Sequence, residues 1–418
     1  MNGSHMPQNC KYVVVLGDGM ADWPISELGG KTPLERAKTP CFDTLAKQSV
    51  IGLVKTVPDG MTAGSDIANL SVLGYDPAVC HTGRSPLEAA SIGVPMNDLD
   101  TTFRCNFVTL SDGEPFESRI MVDYSSGEIT TKEAAELVNA MDEAFSSDKI
   151  SFYTGTAYRH IMLWRDDAPK NAALTPPHDI SGKHISEFLP GDEMLCEIVK
   201  KSCEILKDHP INIKRMQNGQ NPGNCAWLWG AGKKTVLERF EGKYGLAGGV
   251  ISAVDLVKGI ARSAGMGVFE VEGATGNVDT NFEGKADMAI KQLANGYDFI
   301  YIHVEAPDEC GHRGELDNKI LSIERLDAMT GKIYDYLKSC GSRFRLMVLP
   351  DHPTPLEILT HSCDPVPFMM LDSSFNIMRN EAAYSENYAQ GSGVFFESGE
   401  RLMDSFLKSK GFEEETTG

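Results

Sequence analysis

The feature that most limits the fold of this chain is a recurrence of short, unbroken apolar runs, three of which end in carboxylate or imidazole residues. Tyr12-Val13-Val14-Val15-Leu16 stops at Gly17-Asp18-Gly19. Phe299-Ile300-Tyr301-Ile302-His303-Val304 runs into Glu305-Ala306-Pro307-Asp308, and Leu346-Met347-Val348-Leu349 into Pro350-Asp351-His352. A strand buried on both faces reads as a continuous apolar run, whereas a half-exposed strand alternates. Between the second and third runs, Ile320, Ile323, Leu326, Ile333 and Leu337 share one face of a helix over 320–338. Strand, helix, strand at that spacing is a βαβ crossover. Residues 248–252 and 267–271 flank another helical stretch, 253–264, and extend the pattern. The expected fold is therefore α/β, with strands buried on both faces as in a parallel sheet.

The middle of the chain reads differently. Residues 101–110, 117–124, 150–153 and 160–164 look like strands, and Thr130-Thr131-Lys132-Glu133 is a capping box opening a helix to about Phe145. A second helix covers 193–207. Short strands and helices in loose alternation indicate an α+β module. Asn218-Gly219-Gln220-Asn221-Pro222-Gly223 is a strong breaker and the expected exit from it. The reading is a discontinuous large domain, 8–96 and 223–418, with a smaller domain, 97–222, inserted.

Composition excludes several functions. A chain of 418 residues has the length of about two or three domains. A net charge of −20 argues against nucleic acid, which needs a basic face. It does not argue against small anions, because a pocket can be locally positive. No apolar run exceeds strand length, so no membrane span is expected. The ten Cys contain no Cys-x-x-Cys pair and read as reduced thiols of a cytoplasmic protein.

Parallel α/β sheets gather their ligands at the carboxyl ends of the strands. Asp18, Asp308, His312, Asp351 and His352 would meet there, with His361 following in Thr360-His361-Ser362. Like charges so concentrated repel unless cations neutralise them. Mixed Asp/His donors suit Mn²⁺, Zn²⁺ or Fe. A lone Asp after a strand is more often a turn former, but this set recurs at three strand ends. A second constellation is Thr62-Ala63-Gly64-Ser65, leading into a helix. Ser65 is either an N-cap or a nucleophile. As a nucleophile it needs a base or a metal, and no Gly-x-Ser-x-Gly elbow is present.

Asp18, Thr62-Ala63-Gly64-Ser65, Asp308-x-x-x-His312, Asp351-His352 and His361 together resemble the alkaline phosphatase superfamily. Glu305 to His312, Asp351-His352-Pro353-Thr354-Pro355, Arg104-Cys105-Asn106, Trp227-Leu228-Trp229-Gly230 and Gly273-Ala274-Thr275-Gly276 are similar, more narrowly, to the archaeal-type cofactor-independent phosphoglycerate mutases. The resemblance implies transient phosphorylation of Ser65 and two divalent cations, Mn²⁺ foremost, with Mg²⁺ or Zn²⁺ in some members. Asp308, His312 and His361 would hold one; Asp18, Ser65, Asp351 and His352 the other. It implies a doubly wound, mostly parallel α/β sheet carrying the inserted domain, and interconversion of 3-phosphoglycerate and 2-phosphoglycerate.

For the substrate's carboxylate and phosphate, the resemblance directs attention to Arg104, Arg159, His160 and Lys183 of the insert and to Arg84 and Lys233 of the large domain. An Arg fork grips such groups bidentately. His178 and Asp179 would relay a proton between the two glycerate hydroxyls. A phosphatase, a phosphopentomutase and the homoserine kinase role proposed for bacterial relatives are the alternatives on the same metal set. The absence of a Gly-x-x-x-x-Gly-Lys-Ser/Thr loop weakens the last. Oligomeric state is not encoded.

Overall fold

A computed structural model describes residues 10–166, 168–169, 173–375, 378 and 380–408. The chain divides into two compact units, Met1–His81 with Val236–Gly418, and Thr82–Thr235.

The first unit is built on an eight-stranded sheet. Its strand order is Phe395–Phe396, Val50–Val54, Val366–Asp372, Arg343–Leu349, Cys10–Gly17, Phe299–Val304, Gly248–Ile251, Gly267–Phe269. The strands beside Cys10–Gly17 both run parallel to it, and Val366–Asp372 is antiparallel to its two neighbours. Tyr12 to Leu16, Phe299 to Val304 and Leu346 to Leu349 are all buried, as their unbroken apolar character requires. The helix Leu316–Ser339 covers one face through Ile323, Leu326, Met329, Ile333 and Leu337. Gly331 in its interior costs about 1 kcal/mol against Ala. Each fully buried Leu or Ile contributes about 1.5–3 kcal/mol, so packing decides the helix.

The second unit carries an antiparallel sheet in the order Met121–Asp123, Thr101–Leu110, Arg159–Trp164, Ile150–Thr156, with Cys225–Lys233 also paired to Thr101–Leu110. The helices Thr131–Phe145 and Glu193–Leu206 bury Leu137, Val138, Met141, Leu195, Ile198 and Val199 in a core with Phe103, Cys105 and Phe107. Thr130 and Glu133 form the capping box expected of them.

The units divide at 81/82 and 235/236, whereas the sequence pattern places the lines at 96/97 and 222/223. Two elements account for the difference. The helix Arg84–Ser91 packs on Thr101–Leu110 and Cys225–Lys233. Cys225–Lys233 is itself hydrogen-bonded along Thr101–Leu110, from the pair Val108 and Cys225 to the pair Thr101 and Lys233. Arg84 and Lys233 therefore belong to the second unit. The breaker at 218–223 is a turn inside it, held where the Arg215 Nε–H donates to Asn221 O and the Gly223 N–H to Asn212 Oδ1. Residues 117–124 form a 3₁₀ turn, Phe116–Ser118, and a short strand, Met121–Asp123, instead of one strand. A register shift at Thr109 and Leu110 limits the pairing there.

Candidate active site

Strand register brings the chemistry together. Gly17 lies opposite Val304, and Leu16 opposite Leu349, so three strands end side by side. Asp18 follows the first directly, Asp308 lies in the helix Ala306–His312 after the second, and Asp351-His352 follow the third. His312 is one helical turn beyond Asp308. His361 comes from the connection between Arg343–Leu349 and Val366–Asp372. Gly19 passes so close that a side chain there would collide with Asp308 and Thr354, and its φ of +60° also favours glycine.

Three overlapping groups have ligand-type atoms mutually within 4.8 Å: Asp308, His312 and His361; Asp18, Asp308 and His352; and Asp18, His303 and Asp351. His361 Nε2 is 3.4 Å from Asp308 Oδ1, and His312 Nε2 is 3.3 Å from Asp308 Oδ2. His352 Nε2 is 3.6 Å from Asp18 Oδ1 and 3.5 Å from Asp351 Oδ2. Six of the seven residues expected to hold metal lie in these groups, and the seventh, Ser65, is beside Asp18 and His352.

Hydrogen bonds fix which ring nitrogens are bare. His312 Nδ1 lies 3.0 Å from Leu359 O and His361 Nδ1 3.3 Å from Ala63 O. A carbonyl only accepts, so both Nδ1 atoms carry the proton. The Thr354 hydroxyl donates to Asp308 Oδ1, which leaves its oxygen to accept from His352 Nδ1 at 3.4 Å. All three Nε2 lone pairs thus face carboxylates, and those of His312 and His361 face each other at 2.9 Å. Such a cluster draws in a positive charge. A proton on Nε2 can be that charge: His312 is raised to about 9, first by the hydrogen bond that the protonated ring makes to Asp308.

The carboxylates show the same deficit. Burial, then the charges of Asp351, Asp308 and Glu305, pushes Asp18 well above the usual carboxylate range. Burial also acts to raise Asp308, but pairing with His312 and His361 in their protonated form and the nearby imidazole charges outweigh it and hold it well below. Burial lowers His352. Asp18 Oδ1 is buried without a hydrogen-bond partner. Bare imidazole nitrogens, buried carboxylates and an orphaned oxygen form a donor set that fits divalent cations.

Ser65 is the first residue of the helix Ser65–Val72, whose N-cap is Gly64. It is therefore not a cap. Its Oγ lies 3.4 Å from Asp18 Oδ2 and 3.3 Å from His352 Nε2. Four neighbours are not singled out by the sequence pattern. Asn69, one turn after Ser65, donates to Asp351 Oδ2 and Ser65 O, each at 2.9 Å, and accepts from the Tyr301 hydroxyl at 2.7 Å. Thr354 joins Asp308 to His352. His303 Nε2 meets Asp18 Oδ2 at 2.9 Å. Lys285 Nζ, fully buried, donates to His303 O at 2.7 Å. An imidazole inside an otherwise apolar strand is the available signal for His303; Asn69 can be found only from its i+4 spacing to Ser65.

In the second unit, side chains alternate along the strands. Arg104, Asn106 and Arg159 share one face, because Asn106 pairs with Arg159. The Arg104 guanidinium lies 4.0 Å from the centre of the Trp229 ring, with Nε 2.9 Å from Glu88 Oε2. Trp229 Nε1–H donates to Asn106 Oδ1 at 3.0 Å. The His178 ring packs edge-on against Trp229 and Tyr124. Burial, and then the charges of Glu88, Arg84 and Arg159, perturb Arg104, so these cations are within electrostatic reach of one another. His160 sits on the opposite face, paired with Cys105 and tilted on the Phe107 ring. It is 1% exposed and its Nδ1 accepts the Gly155 N–H. Burial lowers it to about 3. Asp179 lies 3.6 Å from His178, and Lys183 Nζ donates to Asp179 O at 2.9 Å. Lys233 and Arg84 are exposed.

Comparison with known proteins adds the following. Residues 46–212 match the family described as 2,3-bisphosphoglycerate-independent phosphoglycerate mutase. A Geobacter sulfurreducens protein named a probable 2,3-bisphosphoglycerate-independent phosphoglycerate mutase is 47% identical over 401 residues, covering 95% of this chain and 99% of that one. The Methanosarcina barkeri enzyme of that name is 45% identical over 404 residues, covering 96% and 100%. The solved structure of the cofactor-independent phosphoglycerate mutase from Thermoplasma acidophilum matches with a TM-score of 0.66 at 26% identity, covering 96% of this chain and all of that one.

Proposed function

This chain belongs to the 2,3-bisphosphoglycerate-independent phosphoglycerate mutases, and we propose that it interconverts 3-phosphoglycerate and 2-phosphoglycerate through a phosphoserine at Ser65. The observation that carries the mechanism is the position of Ser65 Oγ, within 3.3–3.4 Å of both His352 and Asp18 at a helix start.

Asp308, His312 and His361 would hold one divalent cation, and Asp18, Asp351 and His352 the other, together with Ser65. Bound cations would favour the serine alkoxide and neutralise charge on the transferring phosphoryl group. The mixed oxygen and nitrogen donors suit Mn²⁺, Zn²⁺ or Fe, and Mn²⁺ is the foremost of the ions that the family resemblance implies. Ser65 Oγ then attacks phosphorus, the bond to the glycerate oxygen breaks, and the glycerate oxygen takes up a proton. In the return step the other glycerate hydroxyl attacks the phosphoserine and loses its proton, and Ser65 is regenerated. Asn69 holds the Ser65 carbonyl and Asp351 at once, which fixes nucleophile and carboxylate relative to each other. Arg84, Arg104, Arg159, Lys183 and Lys233 supply the cations that a phosphoglycerate carboxylate and phosphate require. His178 and Asp179 are the proton carriers for the glycerate hydroxyls. His160, also expected to bind substrate, packs in the core behind them and would act through the strand that carries Arg159.

All ten cysteines are free, which supports a reducing, cytoplasmic setting. Among the described residues no helix is long and apolar enough to cross a membrane. The test is direct. Brief exposure to phosphoglycerate, followed by quenching and peptide mass analysis, is expected to find one phosphoryl group on the peptide containing Ser65. Turnover without any labelled Ser65 would remove the covalent mechanism.

A further inference from the structure

Four imidazoles surround the strand-end cluster, and one of them is wired in the opposite sense. His312, His361 and His352 keep their protons on Nδ1 and turn bare Nε2 atoms to the carboxylates. His303, fully buried in the strand Phe299–Val304, is held from behind by Ser252. Ser252 Oγ accepts the Val254 N–H at 3.0 Å and lies 3.3 Å from His303 Nδ1. With its oxygen taking the Val254 N–H, the Ser252 hydroxyl has its own proton to give to His303 Nδ1. An Nδ1 that accepts leaves the ring proton on Nε2. That atom lies 2.9 Å from Asp18 Oδ2, and a carboxylate oxygen accepts. The chain of donors thus runs from the Val254 N–H to Ser252, then to His303, then to Asp18.

The two oxygens of Asp18 differ as a result. Oδ2 receives His303 and lies near the Ser65 hydroxyl, while Oδ1 is buried with no hydrogen-bond partner. A buried carboxylate oxygen left unpaired costs free energy, so the arrangement is stable only if something else takes Oδ1. We propose that His303 is a positioning residue, which holds Asp18 by one oxygen so that the other is presented to a divalent cation. His303 lies close enough to Asp18 and Asp351 to be a ligand, but the proton it donates to Asp18 occupies its Nε2 lone pair. The role rests on the two-cation reading of the site. It predicts that the donated hydrogen, not the imidazole as such, is what matters. A Gln at 303 can place an amide N–H near the position of Nε2–H, whereas Leu fills much of the volume and donates nothing.

The experiment uses the full chain, stripped of metal by chelation and titrated with Mn²⁺ by calorimetry. The native protein is expected to take up two equivalents; fewer would overturn the two-cation reading itself, separately from the role of His303. In His303→Leu one equivalent should weaken by about 10–100-fold, the usual scale for loss of an outer partner, while the other is unchanged. His303→Gln should recover most of that loss. At saturating Mn²⁺ the kcat of His303→Leu should approach the native value, with the metal concentration for half activity raised. Native affinity for both equivalents in His303→Leu, or His303→Gln as weak as His303→Leu, would overturn the proposal. Should the Leu variant fail to fold, Ser252→Ala supplies the decision. Loss of the hydroxyl that fixes the tautomer should weaken the same equivalent, more mildly, and native affinity in that variant counts against the proposal.

Discussion

The strand-end cluster of the first unit and the cationic face of the second use charge in opposite ways. Asp18, Asp308, Asp351 and His352 are buried with ligand-type atoms close together, and Asp18 Oδ1 has no hydrogen-bond partner of its own. The cationic face has ion-pair, ring and solvent partners without a ligand, although Arg104 Nε meets Glu88 as an ion pair and not as an aligned hydrogen bond. Arg104 stacks on Trp229 beside Glu88, while Arg84 and Arg159 reach solvent. A resident ion can be built into the structure, because the site need never exist empty. A ligand that comes and goes requires groups with other partners in its absence. Metal and substrate should therefore separate cleanly under mutation and under chelation.

The largest effect tests the first region at the proposed nucleophile. Ser65→Ala should lower phosphoglycerate turnover by about 10⁴-fold or more, the scale seen when a covalent nucleophile is removed. An enolase-coupled assay measures it. Activity within tenfold of native would mean that Oγ is not the nucleophile, whatever its place beside Asp18. The contrast sharpens if the variant still binds phosphoglycerate, since the cationic face is untouched.

Chelation comes next. Removing divalent ions should abolish activity and lower the melting temperature, with both restored by Mn²⁺. Ligand linkage gives about 2.7 kcal/mol of stabilisation at a hundredfold excess over Kd. The sign follows from Asp18, whose carboxyl is pushed up by burial and by neighbouring carboxylates. A melting temperature that does not respond to chelator would show that the cluster tolerates emptiness as the second region does, and the comparison would fail.

Much of this arrangement is legible in the amino-acid sequence. The three apolar runs point to the parallel core because strands buried on both faces leave no polar alternation to misread, and the strand-end rule then gathers Asp18, Asp308, Asp351 and His352. The parts that are not legible depend on contacts remote in sequence. The boundary at 235 rests on Cys225–Lys233 pairing with Thr101–Leu110, and nothing local in 225–233 announces that partner. Arg84 falls on the other side of the boundary from its sequence assignment for a similar reason, since the helix Arg84–Ser91 belongs with the sheet it packs on. His303 hides inside a hydrophobic run, because its donor chain through Ser252 joins two strands 51 residues apart. Asn69 and Thr354 likewise reveal their work only through Asp351 and Asp308.

A third test addresses the second region. Arg104→Lys keeps a charge but loses the planar fork and the stack on Trp229. The KM for phosphoglycerate should rise by about 10–100-fold, the equivalent of roughly 1.4–2.7 kcal/mol of binding. Mn²⁺ affinity, measured on the same preparation, should be unchanged. A variant with altered metal affinity and native KM would invert the assignment of the two regions.

The smallest effect concerns His160, which the sheet separates from Arg159 by a single residue and a whole face. Burial depresses its pKa from 6.5 to about 3. The folded protein therefore keeps it neutral while the unfolded chain takes up a proton below about pH 6.5. Its contribution to stability is complete above that value and is lost as pH falls towards 3, at a limiting slope of about 1.4 kcal/mol per pH unit. His160→Asn can still accept the Gly155 N–H but cannot ionise. It should be less stable than native at pH 7.5, having lost the packing on Phe107. The gap between the two should narrow steadily when denaturant unfolding is repeated from pH 6.5 down to 5. Comparing two proteins that share every metal ligand cancels the acid sensitivity of the strand-end cluster. If the gap stays constant while the KM of His160→Asn rises as in Arg104→Lys, then His160 reaches the ligand directly, and the alternation of faces that separates core from cationic surface is drawn in the wrong place.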